Sequence, residues 1–270
     1  MAMRRGLLAV FVGTLAFAGA ASAADLAPSY KAPPGPPPPP FSWTGLYFGG
    51  TVGAAWTNAD VSLSAVNGAA PLFRVTDIPG LNALGSPSLS QTNAIFGLKA
   101  GYNQQWGAFV LGLEGDVSSF HFSPTAVSVG TPFIGFGGLA RFSTNVQTSW
   151  LATIRGRAGF ARDNWLFYGT GGVAFADVKF SNTYMALSPL GAGLEFEAAT
   201  ASQTQVGWAA GAGVDYALYP HVILSAEYLH VDLGTITASG PIANNGLSAT
   251  FNFSTKVTSD LVRFGAAYKF

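Results

Sequence analysis

The chain contains no cysteine, so disulfides do not hold it together, and a lipoprotein anchor is excluded. Charge is scarce as well. Charged residues make up 10% of the sequence, against about a quarter in soluble domains. Lys and Arg balance Asp and Glu at 13 each, and no basic cluster stands beyond the N-terminal region, so nucleic acid is not an expected partner. Histidine is limited to three residues. His121, His221 and His230 stand apart, so metal ligation has no constellation. The many Gly-x-Gly strings lack the strand-loop-helix context of nucleotide loops, and no cofactor is expected. Finally, no long uninterrupted apolar run follows residue 18, so a helical membrane span is not expected.

What is present is apolar material, at 49% of residues with a mean hydropathy of +0.33. Without membrane helices, that surface must be buried in another pattern. The 34 glycines and 13% aromatics point to a barrel with a glycine-lightened wall and aromatic girdles. A closed ladder leaves no unpaired edge to lipid.

The N-terminus reads as an export signal. Arg4 and Arg5 precede an apolar stretch, 7–18, and Ala21-Ser22-Ala23 supplies an A-x-A cleavage site. The apolar stretch falls short of the roughly 20 residues of a spanning helix. Residues 1–23 are therefore expected to be a signal peptide. Residues 24–42 form a proline-rich linker, with five prolines in a row at 36–40, because polyproline favours a stiff PPII spacer. Residues 43–270 are expected to form the barrel.

From there apolar residues alternate with small or polar ones. Leu46, Phe48, Val52, Ala54 and Trp56 share one face of a first strand, and Ala94, Phe96, Leu98, Ala100 and Tyr102 one face of a second. Similar alternation covers 109–117, 152–160, 205–216, 222–228 and 262–270. A strand over 166–178 is apolar on both faces, and its register stays open. The expectation is an all-β, eight-stranded antiparallel transmembrane barrel. Short turns at 104–108, 162–164 and 219–221 would face one side, with long loops at 57–91, 120–149, 179–202 and 234–259 on the other.

With the apolar residues outward, Lys99, Arg155, Arg157 and Arg263 point inward with Glu114, Asp116, Asp215 and Glu227. Strand neighbours would bring Glu114 and Asp116 to Arg155 and Arg157, and Glu227 to Arg263. Eight strands leave an interior only just wide enough for side chains, where unpaired charge is costly. A salt-bridged plug is the favoured reading, and a narrow passive porin-like channel the alternative. Tyr102, Trp106, Trp165, Tyr216, Tyr219, Tyr268 and Phe270 fall near the short turns, and Trp56 and Trp150 near the long loops, as two interfacial belts require.

After the A-x-A site come Ala24-Asp25-Leu26 and the proline tract, then Trp43-Thr44-Gly45-Leu46-Tyr47-Phe48-Gly49-Gly50. The end is Arg263-Phe264-Gly265-Ala266-Ala267-Tyr268-Lys269-Phe270. Over nearly its whole length the chain resembles the outer-membrane immunogenic proteins of alphaproteobacteria, porin-family surface antigens within the wider OmpA-like group of small barrels. The resemblance implies that Tyr268 and Phe270 serve the barrel-assembly machinery as a recognition signal, and it brings no catalytic motif. A separate peptidoglycan-binding domain is not expected. The implied location is the bacterial outer membrane, among its lipids and lipopolysaccharide.

Some small barrels hydrolyse lipids with a His-Ser pair. His121 and Ser123 have the right types, but no Asp or Glu lies between Asp116 and Asp163 to orient the base. The chain is not expected to be an enzyme. The expected role is structural and surface-interacting, with extracellular ligands met through the loops. Phe133, Ile134, Phe136 and Leu139 of the second loop are the candidate contacts, and haem-type ligand binding is a weaker alternative.

Overall fold

The computed structural model describes residues 41–131, 138–187, 193–244 and 246–270. The expected signal, most of the linker, and three of the four contact candidates (Phe133, Ile134 and Phe136) lie outside the described residues. The chain runs β1 (Gly45–Asn67), α1 (Ile78–Leu84), β2 (Ser88–Trp106), β3 (Phe109–Phe122), β4 (Thr125–Gly130), β5 (Leu139–Arg162), β6 (Trp165–Leu187), β7 (Gly193–Tyr219), β8 (Val222–Asn244) and β9 (Leu247–Lys269). All strands join one sheet in the order β3-β2-β1-β9-β8-β7-β6-β5-β4, and β3 also pairs with β5. That extra pairing closes the ring.

Nine strands therefore stand where eight were expected, but the ring has eight staves. The third stave breaks at Ser123-Pro124, where proline offers no N–H to a ladder. The chain resumes as β4 along β5, from Thr125 opposite Asn145 to Gly130 opposite Ala140. The turns Gly107-Ala108, Asp163-Asn164 and Pro220-His221 each hold two residues between strands. Gly107 and Asp163 take positive φ there, at 61° and 54°.

The four long loops are the main correction. β1 has 23 residues and β7 has 27, whereas about 9–11 residues of a tilted strand cross a bilayer. Most of the expected loops 120–149, 179–202 and 234–259, and a lesser part of 57–91, is strand that continues beyond the membrane. Along β1 the outward residues run Leu46, Phe48, Gly50, Val52, Ala54 and Trp56, then Asn58, Asp60, Ser62 and Ser64. The inward ones run Tyr47, Gly49, Thr51, Gly53, Ala55 and Thr57, then Ala59, Val61, Leu63 and Ala65. The faces exchange polarity at Trp56–Asn58 while the pleat continues. Lipid covers the lower outer face and water the upper one, so apolar side chains turn inward once the strand leaves the membrane.

Bulges sit at the same level. In β5 the inward set changes from Val146 and Thr148 to Leu151 and Thr153 across an irregularity between Gln147 and Leu151. The N–H groups of Ser149 and Trp150 released by it donate to Asp177 Oδ1, at 2.8 and 3.1 Å. In β8 an irregularity follows Asp232, where the Gly234 N–H donates to Asp232 Oδ1 at 2.8 Å. Each extra residue shifts the phase of its strand. The open register of the fifth stave is also settled: Leu166, Tyr168, Thr170, Ala174, Ala176 and Val178 face inward, and Phe167, Gly169, Gly171 and Val173 outward.

Spin labels on β1 test the exchange of faces. A label at Val52 should respond to lipid-soluble oxygen, a label at Ser62 to a water-soluble relaxant, and a label at Leu63 to neither. Lipid exposure at Ser62 would place the whole strand in the membrane and refute the assignment.

Candidate functional site

The ring's interior is filled in three layers. At the end with short turns, Trp43, Tyr47, Val110, Ala161, Leu166, Tyr168, Ala217, Ile223 and Ala267 form one apolar cluster, with Phe41 against it. The Trp-Thr-Gly opening has a physical role here. Trp43 is buried in the mouth, and its backbone N–H donates to Gln105 Oε1 at 2.7 Å. Thr44 Oγ1 accepts the Gln105 N–H at 3.0 Å. Gly45 turns into β1 at φ 140°, beside the carbonyl of Phe270, where a Cβ would crowd it.

The middle layer holds all eight inward charges of the sequence reading, every one buried. Arg155 is the hub. Its Nη2 donates to Glu114 Oε1 at 2.7 Å and Asp116 Oδ2 at 2.9 Å, its Nη1 to Glu227 Oε1 at 2.6 Å, and its Nε to Thr153 Oγ1 at 2.9 Å. Arg157 donates to Asp215 Oδ2 at 2.6 Å and to Glu114 Oε2 at 3.3 Å. Arg263 donates to Asp116 Oδ1 at 2.9 Å and also bonds Glu227. Lys99 Nζ donates to Ser225 Oγ at 2.9 Å and lies 3.9 Å from Glu114.

Five of the ion pairs join adjacent staves: Arg155 with Glu114, Arg155 with Asp116, Arg157 with Glu114, Lys99 with Glu114, and Arg263 with Glu227. The contacts of Arg263 with Asp116, Arg155 with Glu227 and Arg157 with Asp215 cross the lumen, and adjacency could not foretell them. Two tyrosines also belong to the layer. Tyr47 donates to Glu114 Oε2 and accepts from Arg157 Nη1, both at 2.8 Å. The Arg157 guanidinium lies 3.8 Å from the Tyr168 ring centroid, within cation–π range. Gly101 and Gly213 face these phenols so closely that a Cβ at either would collide with Tyr47 or Tyr168.

The outer layer is apolar. Phe120, Phe122, Phe142, Phe180, Tyr184, Phe251 and Phe253 are buried with aliphatic residues, and Phe73, from the segment after β1, stacks on Phe251 at 5.8 Å. Burial there holds the Tyr184 hydroxyl above the ordinary phenol range. The sequence reading placed these residues in loops and missed the layer. The signal was available as a run of buried alternates such as Ala59, Val61, Leu63 and Ala65.

Outside, Trp56 and Trp208 are exposed near the upper polarity change, and Trp106, Trp165, Tyr219, Tyr268 and Phe270 near the short turns. Leu139, expected in a loop, is the first residue of β5 and is 39% exposed. His121 and Ser123 both point outward, and the Ser123 N–H donates to Gln91 Oε1 at 3.0 Å. A different pair, unforeseen, lies at the upper belt. His230 Nδ1 is 2.8 Å from Asp260 Oδ1, which also accepts from Tyr228 at 2.6 Å. No serine or cysteine flanks His230 on that face, where the register places Ala210, Tyr228 and Asp232, so the dyad has no adjoining Ser or Cys nucleophile.

A closed antiparallel ring with an apolar outer band between two aromatic belts defines a membrane-embedded β-barrel of the outer-membrane class. Residues 13–270 match the family model described as outer membrane protein beta-barrel domain, and the chain belongs to that family and, within it, to the outer-membrane immunogenic proteins. It is 32% identical over 257 residues to the 31 kDa outer-membrane immunogenic protein of Brucella melitensis biotype 1, covering 94% of this chain and 95% of the relative. It is 26% identical over 270 residues to the 25 kDa outer-membrane immunogenic protein of Brucella abortus biovar 1, covering 98% of each. Similarity to the crystal structure of OprG from Pseudomonas aeruginosa is looser, with 12% identity, a TM-score of 0.42 and coverage of 85% of this chain and 99% of that one. The protein is located in the bacterial outer membrane.

Breaking the hub should be costly. Arg155→Met strands Glu114, Asp116 and Glu227 in the lumen and is expected to cost about 3–5 kcal/mol, read as a lower midpoint of urea unfolding in detergent. An exposed control, Lys179→Met, should shift it by no more than about 0.5 kcal/mol. Equal effects would remove the network from the account of stability.

Proposed function

We propose that the protein is a structural and surface-interacting barrel with a closed lumen, not a channel and not an enzyme. The observation that carries the reading is the three-layer filling. A neutral charged layer lies between two apolar ones, so a hydrated ion would have to pass through packed aromatic side chains at both ends. Its desolvation in such surroundings is prohibitive. The names of the relatives, which describe immunogenic outer-membrane proteins, agree with exposure at the cell surface. Among the described residues no carboxylate bonds His121, which weighs against hydrolysis of lipid.

The partners follow from the surfaces. The apolar band with its belts meets outer-membrane lipids and, on the outer side, lipopolysaccharide. Tyr268 and Phe270 stand exposed at the end of the last stave, available to the barrel-assembly machinery. The strand extension above the membrane is the surface for extracellular ligands.

Planar-bilayer recording tests the closed lumen. Purified full-length protein should give no steady conductance steps, and reproducible ohmic channels would establish the narrow-pore reading instead. The assembly role is separable. Phe270→Ala should fold in detergent like the parent, yet insert more slowly into membranes that carry the assembly machinery. An unchanged insertion rate would remove Phe270 from that role.

A further inference from the structure

The ring is closed only in its lower part. β2 pairs with β3 from Gly97 opposite Ser118 down to Trp106 opposite Phe109, while its upper residues, 88–96, pair with β1 alone. β4 pairs with β5 alone. A seam therefore runs between 88–96 of β2 and 119–130 of the broken third stave, from the level of Val52 upward past the polarity change at Trp56–Asn58. Two side-chain contacts stitch its lower part: the Phe96 N–H donates to Ser119 Oγ at 3.3 Å, and the Ser123 N–H to Gln91 Oε1 at 3.0 Å. Higher up, Leu84 of α1 lies against Gly130. Among the described residues no strand pairs with the far edge of Thr125–Gly130.

We propose that this free edge of β4 is a docking site for an extended segment of another polypeptide, which adds to the sheet as a strand. The inference rests on the reading of the extension as an interaction surface and names its partner class. In an antiparallel ladder every second residue directs its N–H and C=O away from its partner. The far edge of β4 thus presents an alternating row of donors and acceptors, and an extended backbone is its complement.

The side chains agree with that occupant. Most outward residues of the extension are polar, such as Asn58, Asp60, Ser62, Thr235, Thr237 and Ser239. Beside the edge, however, Val127 and Val129 are 50% and 53% exposed, with Leu139 nearby at the start of β5. Arg141, opposite Val129, is exposed and has no ion-pair partner among the described residues. The edge therefore fits a strand with apolar residues at alternate positions and a carboxylate to meet Arg141. A second copy in the same membrane runs its β4 in the same sense and could meet this edge only in the less stable parallel pairing, whereas a free segment can run antiparallel.

The test uses the full chain folded in detergent micelles and a fluorescein-labelled peptide of alternating valine and threonine flanked by glutamates. Saturable binding is expected. It should fall about tenfold when the peptide amides are N-methylated, because the ladder needs them, and similarly in the surface double variant Val127→Ser, Val129→Ser. Arg141→Gln should weaken binding and flatten its salt dependence. Hydrogen exchange gives an independent reading: edge-facing amides of β4 should exchange fast alone and become protected with peptide. No saturable binding, equal binding of the N-methylated peptide, or protection of those amides before peptide is added would each overturn the proposal. Bilayer conductance does not depend on this edge, so the two readings fail separately.

Discussion

Hydrocarbon offers no partner to a peptide N–H or C=O, and the lower half of the molecule is organised by that constraint. The pairing of β3 with β5 is the element that meets it. Without that pairing, the sheet would end in two edges facing lipid. With it, β3 has two neighbours, β2 from Gly97 to Trp106 on one side and β5 on the other. The filling of the interior follows from closure at eight staves, since so narrow a ring must be packed with side chains.

Charge is spent accordingly. Of 13 cationic and 13 anionic residues, four of each form the middle layer, and their sum is zero. Arg155, Arg157 and Arg263 each hold more than one partner, so none depends on a single contact. The arrangement satisfies groups that closure has removed from water, with five ion pairs along the wall and three across the lumen.

Above the membrane the same constraint lapses, and the structure changes with it. Polarity exchanges faces at Trp56–Asn58, bulges appear in β5 and β8, the third stave tolerates Pro124, and the seam beside β4 is left unpaired. Each of these would be expensive in lipid, because each releases backbone groups. In water they cost little, and Asp177 and Asp232 satisfy the amides freed at two bulges. A membrane-embedded wall and an exposed, edge-bearing extension are thus two regions of the same strands under different solvents.

Apart from the stave over 166–178, which is apolar on both faces, the lower half was legible residue by residue. A two-residue rhythm places Leu46, Phe48 and Val52 outward and Lys99, Glu114, Arg155 and Arg263 inward without any long-range information, because lipid rewards apolar alternates directly. The upper half was not, since exchange of faces and bulges both interrupt the rhythm and imitate a strand ending in a loop. By itself the sequence determined the class, the belts, the lower register of the staves other than the fifth, and the membership of the charged layer, all of which follow from local alternation against a known solvent. Only the tertiary structure decided which charges meet across the lumen, how far the staves continue, and where the wall stays open, since these depend on how closure sets distant residues side by side.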